Sequence, residues 1–370
     1  MNKNILFISA RSDHGGGQEH IYQLLKHIER SSFTPFIAAP TEGHYSNAFK
    51  ELSLNMYPMP FRTFSFRTLS GLKSFARENH IDIIHSHGKG AGIYSRCLSA
   101  LTGIPVIHTY HGIHFGNYGK SGRYFYFMLE RILSHYTSKL IHVSGAEQAL
   151  AARLKFYKGD KSNIIYNGIP LERYLRNAES RRSVRASMRV DESCLLLGTV
   201  ARLCYQKALD KGIEIVKHLR DNNINVHYVI VGDGEDRGHL EKLIKQYGIA
   251  DNVTLAGFRT DIPALLSAMD VYLSTSRWEG LPYSILEAMA SGLAVVASDV
   301  TGNNEAFVPD ESGILVPREN VEGFVSAITR LYRDRQLKER LSGNALQHAK
   351  TMFDVRDMVK KTEQVYKTFQ

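Results

Sequence analysis

The sequence predicts an α/β protein built as two doubly wound, Rossmann-like domains, and three observations carry that prediction. The chain has 370 residues, more than one hydrophobic core usually organises, so two domains are expected. Buried strand-like runs alternate with helical stretches, the pattern of parallel sheets covered by helices. In each half a buried run feeds a glycine-bearing loop and then a helix, as in a phosphate-binding βαβ unit.

Composition narrows the class. With 43% hydrophobic and 22% charged residues the chain suits a soluble globular protein rather than a disordered one. Cys97, Cys194 and Cys204 show no CxxC spacing and read as reduced thiols in a cytosolic protein, not as a disulfide frame or zinc site. The opening MNKNILFISA is too short an apolar run for a signal peptide. No stretch has the length of apolar residues needed to span a bilayer, so any membrane contact is expected to be peripheral. Net charge is +9, and residues 1–168 hold all of it: 19 Lys+Arg against 10 Asp+Glu, with 27 against 27 thereafter.

In the first half, residues 4–10 read as a buried strand, followed by RSDHGGGQEH and a helix over about 18–30. Gly15, Gly16 and Gly17 allow close approach of backbone to a ligand, although a plain tight turn would use the same residues. Further strands are predicted at 33–39, 56–59, 81–85, 106–111 and 140–144. Between them lie two stretches where basic and aromatic side chains interleave. Residues 61–77 carry Arg62, Arg67, Lys73 and Arg77 with Phe61, Phe64, Phe66 and Phe75. Residues 118–139 carry Lys120, Arg123, Arg131 and Lys139 with Tyr124, Phe125, Tyr126, Phe127 and Tyr136. That mixture suits the headgroup layer of an anionic membrane; ordinary helices with apolar core faces are the alternative. No nucleic-acid-binding motif is present, and no nucleic-acid partner is expected. Twelve of the 16 histidines fall in this half, among them His85, His87, His108, His111 and His114. His85 and His87 alternate on one strand face, yet no carboxylate or cysteine accompanies them at metal-ligand spacing, and no metal is expected.

IIYNGIPLERY closes the half with a strand and an Asn-Gly turn, and a charged helical stretch over 173–189 leads on. The second domain starts with a strand at 195–201 and the loop ARLCYQKALDKG, which sets Arg202 and Lys207 five residues apart. Two cations at a strand end can neutralise a diphosphate. A strand at 226–231 then meets GDGEDRGHLEKLI, where Asp233, Glu235 and Asp236 read as a turn and helix cap. A strand at 252–257 precedes GFRTDI. Residues 274–305, STSRWEGLPYSILEAMASGLAVVASDVTGNNE, join two buried strands (271–275 and 294–298) through a loop, a helix and a second polar loop. With Pro282 near the first helical position, the backbone at Gly280 and Leu281 crowds a helix N-terminus, an anion site by its N–H groups and dipole. Glu279 and Glu287 flank that start, and eight residues at helical rise separate them by about 12 Å. A nucleotide diphosphate sugar has about that spread between its two diols. Three helices, over 321–331, 336–350 and 355–369, end the reading.

Glu-x7-Glu within EGLPYSILEAMASGLAVVASD resembles the signature of the retaining glycosyltransferases of family 4, which have the GT-B fold of two Rossmann-like domains facing a cleft. The resemblance spans essentially the whole chain and is densest from Gly198 to Pro317. It implies an acceptor-side domain over 1–168, a nucleotide-sugar-binding domain over 169–352, and a final helix, about 353–370, that returns to the first domain. It implies catalytic roles for His111 (in HTYHGIH, facing the transferred sugar), Glu279, Arg202 and Lys207. Donor contacts would come from Gly16, Gly17, Arg259, Gly280, Leu281, Pro282 and Glu287, with Phe258 and Arg259 beside the nucleobase. Two positions depart from the family pattern: Ala208 replaces the glycine after Lys207, and Asn303 stands where a second glycine is usual. The absence of Asp-x-Asp implies that no divalent cofactor is needed. The expected activity moves a hexosyl or N-acetylhexosaminyl group from a nucleotide sugar, UDP by family habit, to a lipid-linked or other glycan acceptor. The expected setting is surface polysaccharide synthesis (O-antigen, capsule or exopolysaccharide) at the cytoplasmic face of the cell membrane. A nucleotide-sugar epimerase of the same fold and a non-catalytic sugar-binding module are the rival readings.

Overall fold

The computed structural model describes residues 2–113 and 119–369; His114, and residue 118 at the start of the second basic-aromatic stretch, lie outside them. The chain divides into one unit of Met1–Gly168 with Val355–Gln370 and a second of Ile169–Asp354.

The first unit has seven strands: β1 (Lys3–Ser9), β2 (Phe33–Ala39), β3 (Met56–Pro58), β4 (Ile83–His87), β5 (Val106–Tyr110), β6 (Lys139–His142) and β7 (Ser162–Ile164). They run in the order β3-β2-β1-β4-β5-β6-β7, every neighbour parallel. The sheet builds outward from β1, then restarts at β4 and builds the other way. Strand order therefore reverses between β1 and β4, and ligands of doubly wound sheets bind beyond the carboxyl ends of such a pair. β4 begins two residues later than the sequence reading placed it. Its last residues, His85 and His87, are consequently buried in the strand, on one face of the pleat.

The two basic-aromatic stretches divide between core and surface. Helix Phe66–Glu78 is capped by Ser65, whose side chain accepts from the Thr68 amide, and it buries Leu69, Leu72 and Phe75. Helix Lys120–Leu133 buries Tyr126 and Leu133, and Phe127 packs against the same cluster. Phe75, Tyr126 and Phe127 are therefore core residues, a correction to the surface expected of them. Phe61, Phe64, Phe66, Tyr124 and Phe125 are exposed, Phe66 by 81% and Tyr124 by 72%.

Helix Val355–Lys367 completes this unit. Val355, Met358, Val359, Val365 and Tyr366 share a core with Ile5, Phe7 and Leu24, and Tyr366 Oη lies 2.6 Å from His85 Nδ1. The helix brings Arg356, Lys360, Lys361 and Lys367 against Asp357 and Glu363, which takes the first unit to +11 and leaves the second at −2.

The second unit has β8 (Leu195–Val200), β9 (Val226–Val231), β10 (Val253–Gly257), β11 (Val271–Ser274), β12 (Ala294–Asp299) and β13 (Ile314–Pro317). The order is β10-β9-β8-β11-β12-β13, all parallel, with the reversal between β8 and β11. Leu195, Leu197, Tyr228, Ile230, Val271, Leu273, Val296 and Ile314 point to one shared core. Asp236 occupies the N-cap position of helix Arg237–Tyr247, but its side chain makes no capping bond. Asp233 accepts instead from the Gly234 amide at 2.8 Å, so the acidic group is a turn without a side-chain cap. Among the described residues no helix is long and apolar enough to cross a membrane.

Candidate active site

In the second unit the two loops that leave the carboxyl ends of β8 and β11 are bonded to each other. The β8 loop passes Arg202, which is exposed, and makes a short 3-10 turn at Tyr205–Lys207 before helix Leu209–Asp221. The β11 loop runs from Thr275 to the N-cap Pro282 of helix Tyr283–Ala290. Lys207 Nζ donates to Glu279 Oε1 at 2.6 Å. Gln206 Nε2 donates to the Trp278 carbonyl at 2.9 Å and reaches Glu279 Oε2 at 3.4 Å. The Arg277 amide donates to the Gln206 carbonyl at 2.8 Å, and Thr275 Oγ1 donates to the Ala208 carbonyl at 2.9 Å. Glu279 is only 8% exposed, so its carboxylate needs this cation beside it. Lys211 is engaged elsewhere, with the Glu319 carboxylate and with the Arg318 carbonyl at 3.2 Å.

Ala208 has φ 48° and ψ 44°, the left-handed region where a non-glycine residue costs about 1–2 kcal/mol. That backbone accounts for the glycine expected there. Ala208 is 1% exposed, and burial of its methyl, worth about 0.8 kcal/mol, offsets much of the strain.

Pro282 is the N-cap rather than the first helical residue, one position earlier than expected. Only Tyr283 to Glu287 rises as helix, so helical rise does not by itself set the separation of the two carboxylates. Glu287 accepts from Tyr174 Oη at 2.8 Å; Tyr174 is buried in a 3-10 turn, Leu171–Tyr174, just past Asn167-Gly168. Gly280 and the buried Leu281 are gripped by the loop after β12. The Glu279 amide donates to the Thr301 carbonyl at 3.2 Å, and Gly302, at φ +88°, comes so near that a Cβ there would sit 2.3 Å from the Gly280 oxygen. Only glycine fits that turn. Asn303 is buried, with Nδ2 3.1 Å from both the carbonyl and Oγ of Ser298, so it braces the loop. Arg259 is exposed and forms two bonds to Asp261, at 2.6 and 2.8 Å; its contacts do not join the Lys207–Glu279 group.

In the first unit, Gly16 and Gly17 open helix Gly16–His27 after β1, and His111 directly follows β5. The structure brings Gly17 and His111 together: a Cβ on Gly17 would lie 3.2 Å from His111 Cδ2. The Gly112 amide donates to Glu147 Oε1 at 2.5 Å, pinning the backbone beyond His111. Around this ring stand His20, whose Nδ1 lies 2.9 Å from Asn167 Oδ1, and His87, whose Nδ1 lies 3.1 Å from His111 Nε2. Burial pushes the pKa of His111 well below the usual imidazole value, and the like charges of His20 and His85 add to it. Burial also lowers His20 to about 4. His108 bonds Ser86 Oγ through Nδ1 at 2.9 Å as a core residue. Among the described residues no group of three or more His, Cys, Asp or Glu side chains is placed to hold a metal ion.

Tyr174, Gln206, His20, His87 and Glu147 are site neighbours to which the sequence reading assigned no role. Tyr174 and Gln206 had no signal beyond lying within IIYNGIPLERY and ARLCYQKALDKG.

Two parallel Rossmann-like sheets, one with a cation–carboxylate pair at the point where strand order reverses, match the GT-B fold. The description "Glycosyl transferases group 1" matches residues 180–348 and "Glycosyltransferase Family 4" matches residues 14–173. The UDP-Gal:alpha-D-GlcNAc-diphosphoundecaprenol alpha-1,3-galactosyltransferase of Escherichia coli is 28% identical over 305 residues, 81% of this chain and 79% of that one. The alpha-D-kanosaminyltransferase of Streptomyces kanamyceticus is 28% identical over 275 residues, 71% of each chain. The crystal structure of Anabaena HepE in complex with UDP and glucose has the same fold, with a TM-score of 0.88 at 20% identity over 99% of this chain and 100% of that one. The first half of the chain thus matches the family 4 glycosyltransferases and the second half the group 1 glycosyl transferases, and the protein is a glycosyltransferase.

Proposed function

We propose that the protein transfers a hexosyl or N-acetylhexosaminyl group from a UDP sugar to a hydroxyl of a lipid-linked glycan during bacterial surface polysaccharide synthesis. The observation that carries this reading is the Lys207–Glu279 pair at the head of helix Tyr283–Ala290. One carboxylate beside a cation and a helix start suits a sugar whose diphosphate must be held and then released. Glu287, four residues into the helix, would take the ribose diol. Arg202 and Lys207 would neutralise the leaving diphosphate, so no divalent ion is required. His111 would hydrogen-bond the transferred sugar or the departing phosphate. The resemblance to the retaining family 4 enzymes supports retention by front-face displacement, the acceptor hydroxyl losing its proton to the leaving phosphate oxygen.

The E. coli relative's printed substrate, a diphosphoundecaprenol, and the +11 first unit with its exposed Phe66, Tyr124 and Phe125 support this acceptor class. Such a surface would hold the enzyme peripherally on an anionic membrane at its cytoplasmic face. The test is nucleotide release from a panel of nucleotide sugars, with and without bacterial lipid extract. UDP release that depends on the extract and survives excess EDTA is expected. Loss of activity in EDTA, restored by magnesium, would overturn the metal-free mechanism; release without any acceptor would point to a different reaction.

A further inference from the structure

His111 does not meet its neighbours as an isolated ring. His87 Nδ1 and His111 Nε2 lie 3.1 Å apart, with the two ring planes within 20° of each other. A neutral imidazole carries one proton, so the line between these nitrogens has two possible arrangements. Either His87 donates and His111 accepts, or the reverse.

The far side of His87 decides between them. His87 is 6% exposed, and its Nε2 is buried with no hydrogen-bond partner among the described residues. Were Nδ1 the acceptor, the His87 proton would sit on Nε2, as a buried N–H facing nothing. Buried side-chain polar groups are normally paired, and the first arrangement, in which His87 donates, leaves only a lone pair unmatched. Burial first, and then the charges of neighbouring histidines, keep both rings neutral near pH 7. This arrangement would put a proton on His87 Nδ1, with His111 Nε2 accepting it and the single proton of His111 on Nδ1.

His87 is itself held. His85, with its ring 4.1 Å away, is fixed at both nitrogens, by Tyr366 Oη at 2.6 Å and Thr109 Oγ1 at 2.7 Å. Gly17 leaves room for the His111 ring, and the Glu147 bond to Gly112 fixes the turn behind it.

We propose that His87 is a positioning residue that holds His111 as its Nδ1–H tautomer, so that His111 acts as a hydrogen-bond donor and not as a base. Its partner would be an oxygen of the transferred sugar or of the leaving phosphate. This rests on the sugar-facing role given to His111 above.

The test uses the full chain labelled with 15N-histidine, whose two-bond 1H–15N couplings distinguish the two tautomers. The His111 signals are assigned by their loss in His111→Phe. The Nδ1–H pattern is expected in the parent protein. It should persist in His87→Asn, whose amide N–H can stand at the place of Nδ1. It should collapse to Nε2–H or a mixture in His87→Phe, which keeps a ring but no donor. In steady-state assays His87→Phe should lower kcat about tenfold with the donor KM unchanged, the loss of roughly one hydrogen bond made in the transition state. His87→Asn should restore most of it. An Nε2–H pattern in the parent overturns the proposal outright, even if no His87 variant folds. So does an unchanged His111 signature in His87→Phe. If the tautomer behaves as stated while His111→Phe turns over like the parent, the tautomer stands and the sugar-facing role of His111 falls.

Discussion

Glu287→Gln tests the donor site at its ribose end. Glu287 Oε1 accepts from Tyr174 Oη at 2.8 Å, and the carboxylate is partly exposed on helix Tyr283–Ala290. Glutamine keeps the shape and one acceptor oxygen but removes the charge. A hydrogen bond to a charged group is worth about 1.5–3 kcal/mol and a neutral one about 0.5–1.5 kcal/mol. The difference, about 1–1.5 kcal/mol, corresponds to UDP binding about tenfold more weakly. Tyr174→Phe removes only the hydroxyl that orients the carboxylate, so its loss should be about two- to fivefold. Because Tyr174 acts through Glu287, the double variant should bind UDP no worse than Glu287→Gln alone; additive losses would mean that the two act independently. Titration calorimetry with UDP and no acceptor reads all four proteins directly. If Glu287→Gln binds UDP like the parent, this helix is not the donor site and the reasoning is refuted.

Three further outcomes follow from the same geometry. Glu279→Gln should reduce kcat more than UDP affinity, because the carboxylate lies at the proposed reacting sugar and not at the nucleotide; equal losses in both would contradict this placement. Binding to anionic vesicles should weaken as salt shortens the reach of the +11 first unit, about 8 Å at physiological ionic strength, and should fall in Tyr124→Ser/Phe125→Ser. Equal binding to neutral and anionic vesicles would remove the electrostatic part. Acid should destabilise the first unit: burial lowers His20 and His142 to about 4, whereas unfolded imidazoles titrate near 6.5. Between those values the unfolded chain binds more protons, so stability is complete above about pH 6.5 and is lost as pH falls toward about 4. The urea midpoint should be lower at about pH 5 than at about pH 7.5; a rise on acidification would contradict the burial of neutral histidines.

Much of the sheet architecture could be read from apolar runs. The strand Val226–Val231 is six consecutive apolar or half-buried residues between turn signals, and its expected and observed ends coincide. Short edge strands were harder. Ser162–Ile164 is three residues with none buried, and the strand expected at IIY, residues 164–166, overlaps it only at Ile164. Ile314–Pro317 has only four residues, two of them buried, too short a run to stand out. The loops of the site were legible as motifs but not as contacts. Lys207 and Glu279 are 72 residues apart and Tyr174 and Glu287 are 113 apart, distances at which only the folded sheet decides who meets whom. Ala208 shows the limit from the other side. Its identity argued against a glycine turn, yet its backbone adopts one.

The returning helix has a consequence for how the protein is made. The core around Ile5, Phe7 and Leu24 includes Val355, Met358, Val359 and Tyr366, which leave the ribosome only after the whole second unit. Throughout synthesis the first unit must wait with part of one side of its sheet uncovered, that apolar surface open to chaperones. The second unit, whose residues are contiguous, can fold ahead of it. The domain translated first is thus the one finished last, and a nascent chain stalled before Val355 should leave the first unit sensitive to protease while the second is protected.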